Sequence, residues 1–481
     1  MIFNILGKVL LIEAALLLVP MLVGFIYNEN TFVAFLIPIA ILIVIGAPLL
    51  LIKRKYDSMY AKEGFVTVAL AWIVMSIVGA LPFVISREIP NYIDAIFETV
   101  SGFTTTGASI LSDVEALPFS MLFWRSLTHF IGGMGILVFV LAILPKYNSG
   151  VMHVFRAESP GPSADRLVSK LSFTARILYG IYVALTIVEM VLLLFGGMPL
   201  FDSIVHAFGT AGTGGFSIKN TSIAYYNSAY IEMVIAIFMF LFSLNFNLFY
   251  LILIGKFRKA FCSEEIRAFF IIVFTATIAI ALNILSSCAN FIEALRFSFF
   301  QVTSISSTTG YISYDFDKWP AFSKGILIVL MIVGACGGST GGGIKVSRLV
   351  ILVKSVTANI KRLVHPRAVV NVKFEGEYLS KDTERNVFSY FIIWILIVAI
   401  STLLLCLDVN DFLTNFTATL SCVGNIGPGL SNAGLNMVGP MFNFAGYSWA
   451  SKVMLSFAML FGRLEIFPML ILFMPSTWKR G

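Results

Sequence analysis

The feature that most constrains this chain is a short hydroxyl-rich loop ending in glycine, set between long apolar segments and repeated along the sequence. Near the middle it reads Ser306-Ser307-Thr308-Thr309-Gly310-Tyr311. Variants of it are Thr104-Thr105-Thr106-Gly107-Ala108-Ser109 and Gly212-Thr213-Gly214-Gly215-Phe216-Ser217, with a weaker fourth copy at Ser421-Cys422-Val423-Gly424-Asn425. Aligned on Gly107, Gly215, Gly310 and Gly424, the copies lie 108, 95 and 114 residues apart. A recurring period marks repeated structural units. The sequence therefore predicts four homologous units, each carrying one polar loop at membrane depth.

Irregular backbone is tolerated inside a bilayer only where it lines a water-filled path or is buried in protein. Four such loops converging on one axis present a ring of carbonyl oxygens that can replace the hydration shell of a cation. Glycine suits the ring because it reaches backbone angles closed to other residues and places no side chain in the path. The expected ion-contacting residues are Thr105, Thr106 and Gly107; Thr213, Gly214 and Gly215; Thr308, Thr309 and Gly310; and Cys422, Val423 and Gly424. The plainer alternative is that each glycine ends a buried helix. One copy would favour that alternative; four copies in matching contexts favour the pore.

The 481 residues are 58% hydrophobic and only 12% charged, with mean hydropathy +0.92. Soluble domains carry about 25% charged residues, so this composition predicts a polytopic membrane protein. Five cysteines, mostly in apolar segments, show neither a disulfide framework nor metal-ligand spacing. The apolar start lacks a small-residue cleavage pattern, so no signal peptide is expected. The net charge of +7 reports orientation rather than a nucleic-acid partner. Basic residues cluster at Lys53–Lys62, Lys146–Arg176, Lys256–Arg267 and Lys345–Arg385; with Lys8, Lys479 and Arg480 they place 25 of 33 on one side. By the positive-inside bias that side is cytoplasmic, as are both termini.

Taken in order, residues 1–56 form an accessory hairpin of two apolar segments outside the repeat. Residues 57–150, 151–259, 260–370 and 371–481 are the four pore units, each a span, a short helix, a filter loop and a return segment. The short helices are expected at Tyr92–Phe103, Leu200–Ala211, Asn290–Ser304 and Val409–Leu420. Their partially negative C-terminal ends face the pore and favour cations. The fold class is all-α, with ten spans and four half-crossings around a single pore. The return segments are read as Pro118–Leu144, Ala229–Ile254, a third from Phe322 and a fourth at Ser448–Met474.

Only the third return segment is expected to break. Gly337, Gly338, Ser339, Thr340, Gly341, Gly342 and Gly343 interrupt it, and each interior glycine costs about 1 kcal/mol against alanine in a helix. The run is not a phosphate-binding loop, because Ile344 separates its last glycine from Lys345. It reads as a mobile gate under the filters, with a glycine-rich packing face as the alternative. Arg463 falls at a similar depth, where an ionisable residue is a functional candidate by default. It would act as a cation barrier, or pair with Glu465 or with carbonyls of the glycine loop. Glu13, Glu189 and Glu232 read as end-of-helix or helix-pairing residues, Glu98 as a brace for the first filter, and His129 as a packed residue rather than a ligand.

The fourfold plan, the filter glycines, the break Gly337–Gly343 and Arg463 together resemble the TrkH/TrkG/KtrB/HKT superfamily of potassium transport proteins. The resemblance covers essentially the whole chain, and the N-terminal hairpin is most similar to the TrkH branch. It implies K⁺ uptake at the bacterial inner membrane, a homodimer, and a cytoplasmic ring of TrkA-like regulatory subunits that bind NAD(H) and ATP. K⁺ is the transported ion, Rb⁺ should pass, and no organic cofactor is expected on this chain. Plant relatives that prefer Na⁺ tend to carry serine at the first filter position, where this chain has Gly107. The departures of the fourth loop imply moderate discrimination against Na⁺. An H⁺- or Na⁺-coupled symporter and a sodium-permeable transporter stand as alternatives. No nucleophile–base pair or cofactor motif points to an enzyme.

Overall fold

The computed structural model describes residues 2–52, 61–135, 171–368, 370–409, 411–432 and 437–478. The basic residues Lys53–Lys55, Lys146–Lys170, Lys479 and Arg480, and positions 136–144 of the first return segment, lie outside the described residues. Long apolar runs form helices because a buried backbone must satisfy its own polar groups. Among the described residues, six helices are long and apolar enough to cross a membrane: Ile2–Ile26, Phe32–Leu51, Lys62–Ile85, Ala175–Phe195, Glu264–Ser287 and Lys381–Leu405. The protein is a multi-pass, predominantly helical membrane protein, as the all-α reading expects, with one two-stranded hairpin at Lys373–Phe374 and Glu377–Tyr378.

The first two helices form the hairpin and pack on the first span and the first return helix. They cross where a Cβ on Gly7 would meet the Gly46 carbonyl oxygen at 2.8 Å, a backbone approach only small residues permit.

The short helices run Tyr92–Phe103, Leu200–Gly212, Phe291–Ser306 and Phe412–Gly424. Polar caps start three of them: Asn91, Asn290 and Asp411 accept backbone N–H groups of their first turns. The fourth runs past the expected end at Leu420, so Ser421, Cys422, Val423 and Gly424 are its last residues rather than a filter loop.

The second and fourth return segments break as well as the third. Before the breaks they run Ala229–Phe242, Ala321–Val333 and Trp449–Arg463, and the first return helix is Phe119–Gly133. The second resumes as Phe246–Leu253 after a 91° bend. Asn245 caps that second half, its side chain accepting from the Asn247 N–H. The third resumes as Val346–Val364 and the fourth as Phe467–Phe473. Each short helix packs against its own return half-helix and that of the preceding unit, and the first packs against the fourth unit's. The four units therefore close into a circle.

Candidate functional site

The four short helices end in one shared way. The N–H groups of Thr106, Gly214, Thr309 and Ile426 donate to the carbonyls of Ser101, Gly209, Ser304 and Ser421, each at 2.9 Å. One residue earlier, Thr105, Thr213, Thr308 and Asn425 donate to Gly102, Thr210, Ile305 and Cys422 at 3.0–3.3 Å. This paired pattern is the Schellman helix end, and it demands a left-handed residue at the turn. Thr105, Thr213, Thr308 and Asn425 supply it, with φ of 55°, 54°, 62° and 55°. Two residues on stand Gly107, Gly215, Gly310 and Gly427, with φ of 80°, 74°, 83° and 102°.

That equivalence corrects the fourth loop. The residue matching Gly107 is Gly427, not Gly424, and the loop is Asn425-Ile426-Gly427 rather than Cys422-Val423-Gly424. The cause is physical: Gly424 is helical, whereas Gly427 holds the positive φ that the other three share. Asn425, Ile426 and Gly427 were missed because the fourth copy lacks the threonine pattern. The signal was nonetheless present, since asparagine is, after glycine, the residue that most readily takes a left-handed turn.

The loops meet edge to edge. A Cβ on Gly107 would lie 2.0 Å from the Gly214 carbonyl oxygen, and one on Gly215 2.0 Å from that of Thr309. On Gly310 it would lie 1.9 Å from the Ile426 oxygen, and on Gly427 2.8 Å from that of Thr106. Each glycine thus abuts the carbonyl that precedes the next glycine, and the last abuts the first loop. All four glycines open into one cavity, which Ser109, Ser112 and Asn220 also line.

Buried polar contacts hold the ring. The Glu98 carboxylate accepts from the Ile110 N–H at 2.9 Å, from the Ser109 hydroxyl at 2.9 Å and from Arg125 at 2.7 Å. Arg125 in turn donates to the Ser217 carbonyl and lies 3.9 Å over the Phe216 ring. His129 bridges the first two units: Nδ1 lies 2.8 Å from the Gly102 carbonyl, and Nε2 accepts from the Phe216 N–H at 3.2 Å. Ser304 and Ser421 donate to the carbonyls of Tyr311 and Gly427, both at 2.6 Å. Glu232 pairs with Arg296 at 3.2 Å, whereas the buried carboxylate of Glu13 has no hydrogen-bond partner among the described residues.

On the opposite side from that cavity, the run Gly337–Gly343 lies almost wholly buried against the inner ends of the short helices. The Gly342 N–H donates to the Thr308 hydroxyl at 2.6 Å, and a Cβ on Gly342 would meet the Gly424 carbonyl at 2.3 Å. Arg463 donates to the Thr340 carbonyl at 2.7 Å and to those of Gly132 and Gly133 at 2.5 Å. Glu465 instead pairs with Arg348 at 2.5 Å. The Lys345 ammonium, missed in the sequence, is buried and donates to the Gly341 carbonyl. Among the described residues no group of three His, Cys, Asp or Glu side chains could hold a metal ion.

The TrkH family, described as cation transport proteins, is matched over residues 32–480. This chain belongs to that family. Within it, the chain is 38% identical to the Trk system potassium uptake protein TrkH of Salmonella typhimurium, covering 83% of this chain and 82% of that one. TrkG of Escherichia coli K12, also a Trk system potassium uptake protein, is 35% identical over 81% and 79%. The crystal structure of the potassium transporter TrkH from Vibrio parahaemolyticus superposes with a TM-score of 0.88 at 33% identity, covering 99% of both chains.

Proposed function

We propose that this protein takes up K⁺ across the bacterial inner membrane by passage through the glycine ring. The observation that carries the reading is the closed contact of Gly107, Gly215, Gly310 and Gly427 with one another's loops. Main-chain carbonyls held this way replace water around a cation without a charged ligand. The ion-contacting set is Thr105–Gly107, Thr213–Gly215, Thr308–Gly310 and Asn425–Gly427, and Rb⁺ passes with K⁺. The side with the basic clusters faces the cytoplasm.

The run Gly337–Gly343 is the gate in this reading. It sits under the third and fourth short helices, and Arg463 both anchors it and sets a permanent positive charge on the path. A homodimer with a cytoplasmic TrkA-like nucleotide-binding ring moves it. An exposed apolar stripe, Val353, Val356, Ile360 and Leu363, supports a helix-to-helix contact with a second copy. The test is Rb⁺ influx into proteoliposomes at matched protein density. Arg463→Ala, or deletion within Gly337–Gly343, should raise influx about tenfold, the size expected for losing charge-assisted hydrogen bonds. Well-folded variants that conduct no faster than the unmodified protein would place the gate elsewhere.

H⁺-coupled symport is the second reading, and Glu189 favours it. Its carboxyl is fully buried in the second unit's span, beside the Thr210 hydroxyl of the short helix. An ionisable residue within a span is a candidate for a proton path. Unitary currents in a planar bilayer, unaffected by a pH gradient, would exclude it.

A further inference from the structure

We infer that Glu265 is the positioning residue that keeps the glycine loop seated, and that the hairpin Lys373–Tyr378 sets where Glu265 stands. This rests on the reading of Gly337–Gly343 as the gate. Glu265 is the second residue of the helix Glu264–Ile284 and is 5% exposed. Its Oε1 accepts from the Gly337 N–H at 2.6 Å and from the Ser347 N–H at 3.0 Å. Those two N–H groups belong to the opposite stems of the loop, so a single oxygen ties the loop shut at its base. The helix does not need this carboxylate for its own start, because the Ser263 hydroxyl already accepts from the Ile266 N–H. The side chain reaches away from its helix to serve another element.

The same helix end is held from the hairpin. Strands Lys373–Phe374 and Glu377–Tyr378 pair antiparallel around a turn in which Glu375 and Gly376 have φ of 52° and 84°. That turn presents the Glu375 carboxylate, which accepts from the Ser263 hydroxyl at 2.7 Å and from the Glu265 N–H at 3.1 Å. Lys354, on the helix that follows the loop, donates to the Lys373 carbonyl at 2.8 Å and pairs with Glu264. A force on the hairpin therefore reaches both the helix bearing the clamp and the helix leaving the loop. These bonds of Glu265, Glu375 and Lys354 go to residues other than Gly107, Gly215, Gly310 and Gly427.

The test compares Rb⁺ influx and K⁺-over-Na⁺ preference in proteoliposomes for Glu265→Ala, Glu265→Gln and Glu375→Ala. Glu265→Ala leaves two buried N–H groups without an acceptor and should raise influx about tenfold. Ion preference should stay unchanged, because the four glycines keep their contacts with one another's loops. Glu265→Gln should restore most of the restraint, since an amide oxygen also accepts two N–H groups. Glu375→Ala should give a smaller rise. Influx at the unmodified rate in Glu265→Ala overturns the inference, as does a rise accompanied by lost preference or a Glu265→Gln variant equally leaky. Deletion within the glycine run separates the two levels: if deletion raises influx and Glu265→Ala does not, only the clamp falls; if neither does, the gate reading falls. Should Glu265→Ala fail to assemble, Glu265→Asp, whose shorter arm cannot span both stems, must show the rise; failure of both to assemble makes Glu265 a folding residue and overturns the inference.

Discussion

Thr105, Thr213 and Thr308 stand in the left-handed region, where a β-branched side chain is rare and costs roughly 1–3 kcal/mol. Glycine or asparagine would form the same helix end at lower cost, so these side chains contribute something beyond backbone geometry. Thr308 shows one such contribution: its hydroxyl receives the Gly342 N–H and links the ring to the glycine loop. Three of the four loops were legible because Thr-x-Gly stands out between apolar segments. The fourth was misaligned by three residues because its turn uses asparagine and its hydroxyl and thiol residues, Ser421 and Cys422, belong to the helix. The two alignments give opposite expectations. Gly427→Ser places a side chain at φ 102° against the Thr106 carbonyl and should abolish the preference for K⁺ over Na⁺. Gly424→Ser meets first the flexible Ile426 side chain at 2.9 Å and should leave that preference largely intact. Paired Rb⁺ and Na⁺ influx measurements on the two variants decide between them.

At the scale of elements, the spans and short helices were readable from apolar length and polar caps. The first short helix, Tyr92–Phe103, has the expected bounds at both ends. The broken return helices were readable only where glycines accumulate. The second breaks at Ser243–Asn245 and the fourth at Leu464–Ile466, with no glycine run to announce it. In those places tertiary partners take the freed backbone groups: the Cys336 N–H donates to the Ser243 carbonyl at 3.1 Å, and the Phe246 N–H to that of Gly338 at 3.0 Å. On the filter side, the third and fourth units are joined by Asp317, whose carboxylate accepts from the Ser431 N–H at 3.2 Å. Burial and the neighbouring Asp315 outweigh that hydrogen bond and push the Asp317 carboxyl up to about 6. An acid whose folded value is raised binds its proton more tightly when folded, so it weakens the fold as pH rises from about 4 to about 6. Asp317→Asn should raise the thermal midpoint at pH 7 and flatten its decline across that window, as read by thermal unfolding in detergent.

For the molecule as a whole, membrane class followed from the scarcity of charge and the length of the apolar runs. The repeat also predicted four units around one axis, but not which residues join the first unit to the fourth, because that contact is a property of packing that no local pattern encodes. The basic stretch beyond the glycine loop includes Arg362, which donates to the Val370 carbonyl at 2.5 Å, and the exposed Arg367. If this face docks an acidic regulatory ring, Arg362→Glu with Arg367→Glu should lower co-purification of that ring at least about tenfold, since like charges across an interface cost several kcal/mol. Rb⁺ influx through the isolated protein should be unaltered. Full retention of the ring at moderate salt would assign the charge to lipid headgroups instead.

A circle built from one chain has three joints made by continuous polypeptide and one that is only a clasp. The clasp lies between the fourth unit and the first, where the Asn425 amide donates to the Thr106 hydroxyl at 2.9 Å. There the glycine of one loop stands 2.8 Å (as a built Cβ) from its neighbour's carbonyl, against 1.9–2.0 Å at the other three joints. An apolar crevice runs along the same seam, between Ile77, Ile96 and Val100 on one side and Val453, Phe457 and Leu460 on the other. The ring is thus a split washer rather than a solid one. If the ring is the ion path, its widening for a larger ion would begin at that slit, and the first and last quarters of the sequence would share control of its bore.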